Sequence, residues 1–102
     1  MTTIALVDDE NSIRTSVSLA LESEGFKVDV FQNGIEALEA LESKSYDLGL
    51  FDIKMPKMDG NELLEKVRSS KNDYLKEMPI IFLTSKDQEQ DEIIGLRMGA
   101  AD

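Results

Sequence analysis

No cysteine and no histidine occur among the 102 residues of this chain. The first absence removes disulfides, a thiolate nucleophile and cysteine-ligated zinc. The second removes the usual general base and the commonest zinc ligand, so triad hydrolases and most zinc enzymes are excluded together. There is no apolar run long enough to cross a bilayer. The N-terminus, Met1-Thr2-Thr3-Ile4, passes straight into a strand-like segment without the basic stretch and long apolar core of a signal peptide, so a cytoplasmic location is expected. Internal repeats, low-complexity runs and flexible linkers are missing as well. Positive charge is scarce: 11 Lys and Arg against 21 Asp and Glu leave a net charge of −10, which argues against direct binding to a nucleic-acid backbone and suits a protein that binds cations. Carboxylates must carry any chemistry, although most of them simply solvate the surface.

What remains is room for one domain, 1–102, with a single core, built from strand-like and helix-like segments in alternation. Ile4-Ala5-Leu6-Val7 and Leu48-Gly49-Leu50-Phe51 are apolar without interruption by charge, as strands buried on both faces of a parallel sheet require. Lys27-Val28-Asp29-Val30-Phe31 alternates and predicts a half-buried strand near an edge; Ile80-Ile81-Phe82-Leu83-Thr84 predicts a fourth. Between them, Asn11 or Ser12 is expected to cap a helix carrying Ile13, Val17, Ala20 and Leu21, with Gly25 closing it. Asn33-Gly34 opens a second helix with Ile35, Leu38 and Leu41 on one face, and a third carries Leu63, Leu64 and Val67. The polar stretch from about Ser69 to Met78 has room for an extra turn, and Asp87 begins a weaker helical pattern through Ile93, Ile94 and Met98.

Ligands of open parallel sheets sit beyond the carboxyl ends of the strands. Those ends carry Asp8 and Asp9, then Asp52, then Thr84. Singly, each acid is a plausible helix cap and the threonine an ordinary β-former. Together they define one rim. Carboxylates gathered there repel one another, and a divalent cation relieves the repulsion. Mg2+ fits best, because it accepts one or two carboxylates and keeps several waters, whereas calcium wants more protein oxygens. A carboxylate can also attack phosphorus directly without a general base, and Thr84 is placed to donate to the phosphoryl group.

Three segments, Ile4-Ala5-Leu6-Val7-Asp8-Asp9-Glu10, Phe51-Asp52-Ile53-Lys54-Met55-Pro56-Lys57-Met58-Asp59-Gly60 and Ile80-Ile81-Phe82-Leu83-Thr84-Ser85, resemble those of response regulator receiver domains, with wording similar to ChvI-like members of the OmpR/PhoB class. The resemblance implies a flavodoxin-like doubly wound α/β fold with a parallel sheet in 2-1-3-4-5 order. It implies Asp52 as phosphoacceptor, Asp8, Asp9, Asp52 and the Lys54 backbone carbonyl as Mg2+ ligands, and Thr84 as the switch hydroxyl. It further implies a partner histidine kinase and a transcriptional output domain in the parent protein, the domain itself being a switch and not an enzyme.

Family members continue from the Gly-Ala-Asp-Asp-like turn into a fifth strand, a switch aromatic, a lysine that contacts the phosphoryl group and a fifth helix. The chain is therefore expected to be a receiver shortened at its C-terminus, with β-edge exposure on the fourth strand favouring self-association, swapped or edge to edge. Lys86 does not match the family lysine and inherits no role from it. Two rival readings stand beside this one: an interaction module that keeps the fold without being phosphorylated, and a phosphatase similar to haloacid dehalogenases. The second needs Asp-x-Asp where this chain has Asp52-Ile53-Lys54.

Overall fold

A computed structural model describes residues 1–55 and 57–83 and the backbone of residues 97 and 98. The described residues form, in order, β1 (Thr3–Val7), α1 (Asn11–Ser23), β2 (Lys27–Phe31), α2 (Gly34–Ser43), β3 (Leu48–Asp52), α3 (Gly60–Arg68), α4 (Asp73–Glu77), β4 (Ile80–Leu83) and β5 (Arg97–Met98). The sheet order is β2-β1-β3-β4-β5. The first four strands are parallel, in the 2-1-3-4 order expected of the doubly wound fold.

Burial explains that order. The apolar strand β1 lies between β2 and β3 and is buried from Ile4 to Val7, whereas the alternating strand β2 takes the outer position, with Val30 44% exposed. Successive side chains of a strand point to opposite faces. Ala5 and Val7 join Phe51, Ile80 and Phe82 beneath α2, α3 and α4, through Ala37, Leu41, Leu63, Val67 and Leu75. Ile4, Leu6 and Leu50 face the other way, toward Val17 and Leu21 of α1. Burying each of the large aliphatic or aromatic chains contributes about 1.5–3 kcal/mol.

Local signals set most boundaries. Gly25, at φ 97°, follows α1 and lets the amides of Gly25 and Phe26 reach the Glu22 and Leu21 carbonyls, an ending that needs a left-handed residue. Asn33 accepts from Glu36 N at 2.9 Å to open α2, and Asp59 accepts from Glu62 N at 2.9 Å to open α3. The extra turn foreseen between Ser69 and Met78 is α4, held by Arg68, whose guanidinium donates to the carbonyls of Leu75 at 2.7 Å and Met78 at 2.8 Å.

Some expectations change. Neither Asn11 nor Ser12 caps α1; Glu10 occupies that position, and the Asn11 side chain accepts from Arg14 instead. Ile35 is 47% exposed, and α2 buries Ala37 and Leu41, because the helix meets the core one position further round than its largest side chains suggest. Met98 does not continue a helix but pairs with Ile81, as Arg97 does with Phe82, in an antiparallel ladder. That ladder occupies part of the β4 edge expected to lie open, and it answers the same backbone groups that a parallel fifth strand would. Thr84 and the helical pattern from Asp87 through Ile94 lie outside the described residues.

Candidate functional site

The register of the parallel strands assembles the site. Val7 of β1 is level with Phe51 of β3, so the next residues, Asp8 and Asp52, come side by side. Asp9 follows at the rim. One carboxylate oxygen from each of Asp8, Asp9 and Asp52 lies within 4.8 Å of the others. Asp8 is 4% exposed and Asp52 2%, while Asp9 is exposed, so two acids form the floor of the cluster and the third forms its edge. Carboxylates so close repel one another when charged, and positive charge between them offsets that repulsion.

Each acid is held by backbone. Asp8 N donates to the Phe31 carbonyl at 3.1 Å, which extends the ladder between β1 and β2 past Val7. Its Oδ1 accepts from Glu10 N at 2.9 Å, a short turn that also starts α1. Arg14 donates to the Asp8 carbonyl at 2.7 Å and pins that turn from the helix side. Behind Asp52, Ile53 N donates to the Leu83 carbonyl at 3.4 Å, and the Ile53 carbonyl accepts from Gly60 N at 2.9 Å. Gly60 is obligatory: a Cβ there would strike the Asp52 carbonyl oxygen and come 2.9 Å from Ile53 Cα. The first turn of α3 thus rests directly on the peptide that carries Asp52.

The loop between Asp52 and Gly60 buries Met55 and Met58 and exposes Lys54 and Lys57. Lys57 has φ 69°, the left-handed conformation that side chains other than Gly, Asn and Asp seldom adopt. Beside the acids is a cleft of about 310 Å³ lined by Asp9, Gln32, Asn33 and Lys57. Of these, only Asp9 stood out in the sequence. Asn33 read as the opening of a helix and Gln32 carried no signal, and the parallel register that brings Phe31 level with Val7 is what puts them beside Asp8 and Asp9. Among the sequence-predicted site residues, Asp8, Asp9 and Asp52 converge, Lys54 follows in the adjoining loop, and Thr84 lies outside the described residues.

The site can therefore collect a hard cation on three carboxylates and present anionic oxygen beside it. Within the described residues, no helix is long and apolar enough to cross a membrane.

Known proteins share this sequence pattern and fold. The family model of the response regulator receiver domain matches residues 4–102. A transcriptional regulatory protein, the CpxR homolog of Haemophilus influenzae, is 39% identical over all of this chain and 42% of its own length. The alkaline phosphatase synthesis transcriptional regulatory protein PhoP of Bacillus subtilis is 40% identical over 97% of this chain and 40% of its own length. The chain thus spans about two-fifths of the curated relatives it matches. Among solved structures, the response regulator TrrA of Thermotoga maritima, crystallised in complex with Mg2+-BeF, superposes with a TM-score of 0.77 at 36% identity, covering 91% of this chain and 77% of that one. The chemotaxis protein CheY4 of Vibrio cholerae gives 0.77 at 33% identity, over 93% of this chain and 80% of that one. With sequence and fold in agreement along nearly its whole length, the chain belongs to the response regulator receiver domains, a family of signalling domains and not of enzymes.

Proposed function

We propose that this domain is a phosphorylation switch in which Asp52 accepts a phosphoryl group from a partner histidine kinase. The observation that carries the reading is the convergence of the Asp8, Asp9 and Asp52 carboxylates within 4.8 Å at the carboxyl end of the sheet. The donor set is all hard oxygen, which fits Mg2+; Asp8, Asp9 and Asp52 would hold it, with the Lys54 carbonyl as a further ligand. When bound, the ion supplies positive charge that offsets the phosphoryl oxygens. An oxygen of Asp52 attacks phosphorus, the bond from phosphorus to the donor breaks, and its electron pair leaves with the donor, so no base is needed. Asp8 and Asp52, fixed by backbone hydrogen bonds and by the Gly60 contact, need little reorganisation for that step.

Thr84, the residue after β4, would then be the hydroxyl drawn to the phosphoryl group, whose nearly two negative charges and three acceptor oxygens favour a second arrangement of the adjoining segment. The relatives named as transcriptional regulators support an output domain of that kind in the parent protein. A second copy of the chain is a further partner we propose for the part of the β4 edge beyond its short ladder with β5, and light scattering that finds only monomer at high concentration would remove it.

Incubation with a small phosphodonor and Mg2+ should add one phosphoryl group to the wild type and none to Asp52→Asn, read by intact mass. Equal gain in both would move the reaction to another residue. No gain in the wild type would favour an interaction module that keeps the fold without the chemistry.

A further inference from the structure

We infer that Lys57, with the side-chain amides of Gln32 and Asn33, forms a leaving-group subsite that favours acyl phosphates over phosphodonors that release a neutral amine. The inference rests on Asp52 as phosphoacceptor and concerns the cleft next to it. That cleft, about 310 Å³, is at the small end of ligand pockets and suits a molecule of a few heavy atoms. Asp9 belongs to both the cleft and the carboxylate cluster, so the cleft adjoins the place where a donor would meet Asp52 and offers its departing portion a seat near Gln32, Asn33 and Lys57.

The polar groups of the cleft are arranged. Gln32 Nε2 donates to Glu36 Oε2 at 3.1 Å, and Asn33 Oδ1 accepts from Glu36 N at 2.9 Å. One residue of α2 therefore orients both amides. The cap occupies the carbonyl oxygen of Asn33 and leaves its NH2 as the donor it offers to the cleft. Among the described residues that line the cleft Lys57 supplies the positive charge, and its backbone holds the uncommon left-handed conformation at this point. Such conformations cluster where a side chain serves a site.

The chemistry distinguishes donors. With an acyl phosphate, the Asp52 oxygen bonds to phosphorus, the bond from phosphorus to the acyl oxygen breaks, and the electron pair departs on a carboxylate. Negative charge grows on that oxygen, where an ammonium and amide N–H groups stabilise it. With phosphoramidate, the bond from phosphorus to the protonated nitrogen breaks and ammonia leaves neutral. Lys57 then has no growing charge to meet.

The test compares initial rates of phosphorylation by acetyl phosphate and by phosphoramidate, both with Mg2+, in wild type, Lys57→Asn, Lys57→Arg and Gln32→Ala. Asparagine tolerates the left-handed backbone, so Lys57→Asn removes the charge without disturbing the turn. The ratio of acetyl phosphate to phosphoramidate kcat/KM should fall about tenfold in Lys57→Asn, the usual loss for one charge-assisted contact, and about threefold in Gln32→Ala. Lys57→Arg should keep most of the wild-type ratio. An unchanged ratio in Lys57→Asn, with both donors still active, overturns the subsite alone. A wild type phosphorylated by neither donor sinks the phosphoacceptor reading and this one with it.

Discussion

A methyl group at residue 60 has nowhere to go, since the atoms it would meet are the Asp52 carbonyl and the Ile53 backbone, neither of which can turn aside. The contrast is Gly34, where an added Cβ would come 3.0 Å from the Cγ and Sδ of Met58 and 3.1 Å from its Cβ, a flexible side chain instead of backbone. Gly60→Ala should therefore cost about 1–3 kcal/mol, as overpacking does, and also shift the peptide on which Asp52 is mounted. Gly34→Ala should cost less than about 1 kcal/mol. Urea unfolding measures the first difference, and phosphoryl uptake by intact mass the second. A Gly60→Ala protein with wild-type stability and uptake would mean that α3 does not position Asp52. At this scale the sequence shows the clustered acids plainly, because the pair Asp8-Asp9 and then Asp52 each follow an apolar run. It hides their supports, because a glycine after Asp59 has the same appearance whether it ends a loop or touches the strand that carries Asp52.

Among elements, β2 and the turn from α2 into β3 are joined by one small network. Asp29 of β2 accepts from the Tyr46 hydroxyl at 2.7 Å and pairs with Lys44 at 2.9 Å, while the Tyr74 hydroxyl of α4 lies 2.6 Å from both the Leu41 and Lys44 carbonyls. The Tyr46 hydrogen bond, then the one from Lys44, holds the Asp29 carboxyl below its ordinary value of 3.8. Burial, and then the Asp29 hydrogen bond, pushes the Tyr46 phenol above its ordinary 10.0. The signs are opposite. The Asp29 contribution is present above pH 3.8 and is lost as pH falls through the depressed folded value; the Tyr46 contribution is present below pH 10 and is lost as pH climbs beyond it. Tyr46→Phe should cost about 1 kcal/mol at neutral pH, after allowing for solvent around Asp29, and should flatten both arms of the urea midpoint against pH. Tyr74 is raised by burial too and keeps part of the alkaline arm in place. If the two pH profiles coincide, the network does not govern the titration. Strand positions at this scale were legible from apolar runs, since β2 and β3 begin and end where their patterning does. The Asp29 network was not, because Asp29 and Tyr46 are 17 residues apart and neither breaks a local pattern. Nor was the cap of α1, where a backbone turn onto Asp8 takes the place of the Asn11 side chain.

Over the whole molecule, 21 acidic against 11 basic residues make the folded state repel itself, so any added salt should stabilise it by screening. Among the described residues Asp8, Asp9 and Asp52 bring three carboxylates together, and a divalent cation held there would act by binding as well as by screening. Comparison of MgCl2 with NaCl at matched ionic strength separates the two effects. At ten times its dissociation constant, bound Mg2+ adds about 1.4 kcal/mol, which corresponds to roughly 6–11 °C in the unfolding midpoint of a domain this size. Asp9→Asn is the informative variant, because Asp9 is exposed and its substitution leaves the core alone. It removes one ligand and one repelling charge. Without divalent metal its midpoint should lie above that of the wild type, and MgCl2 should then raise it no further than NaCl does. Equal midpoints for wild type in the two salts would mean that the three carboxylates, close as they are, hold no ion, and that −10 is only a surface charge.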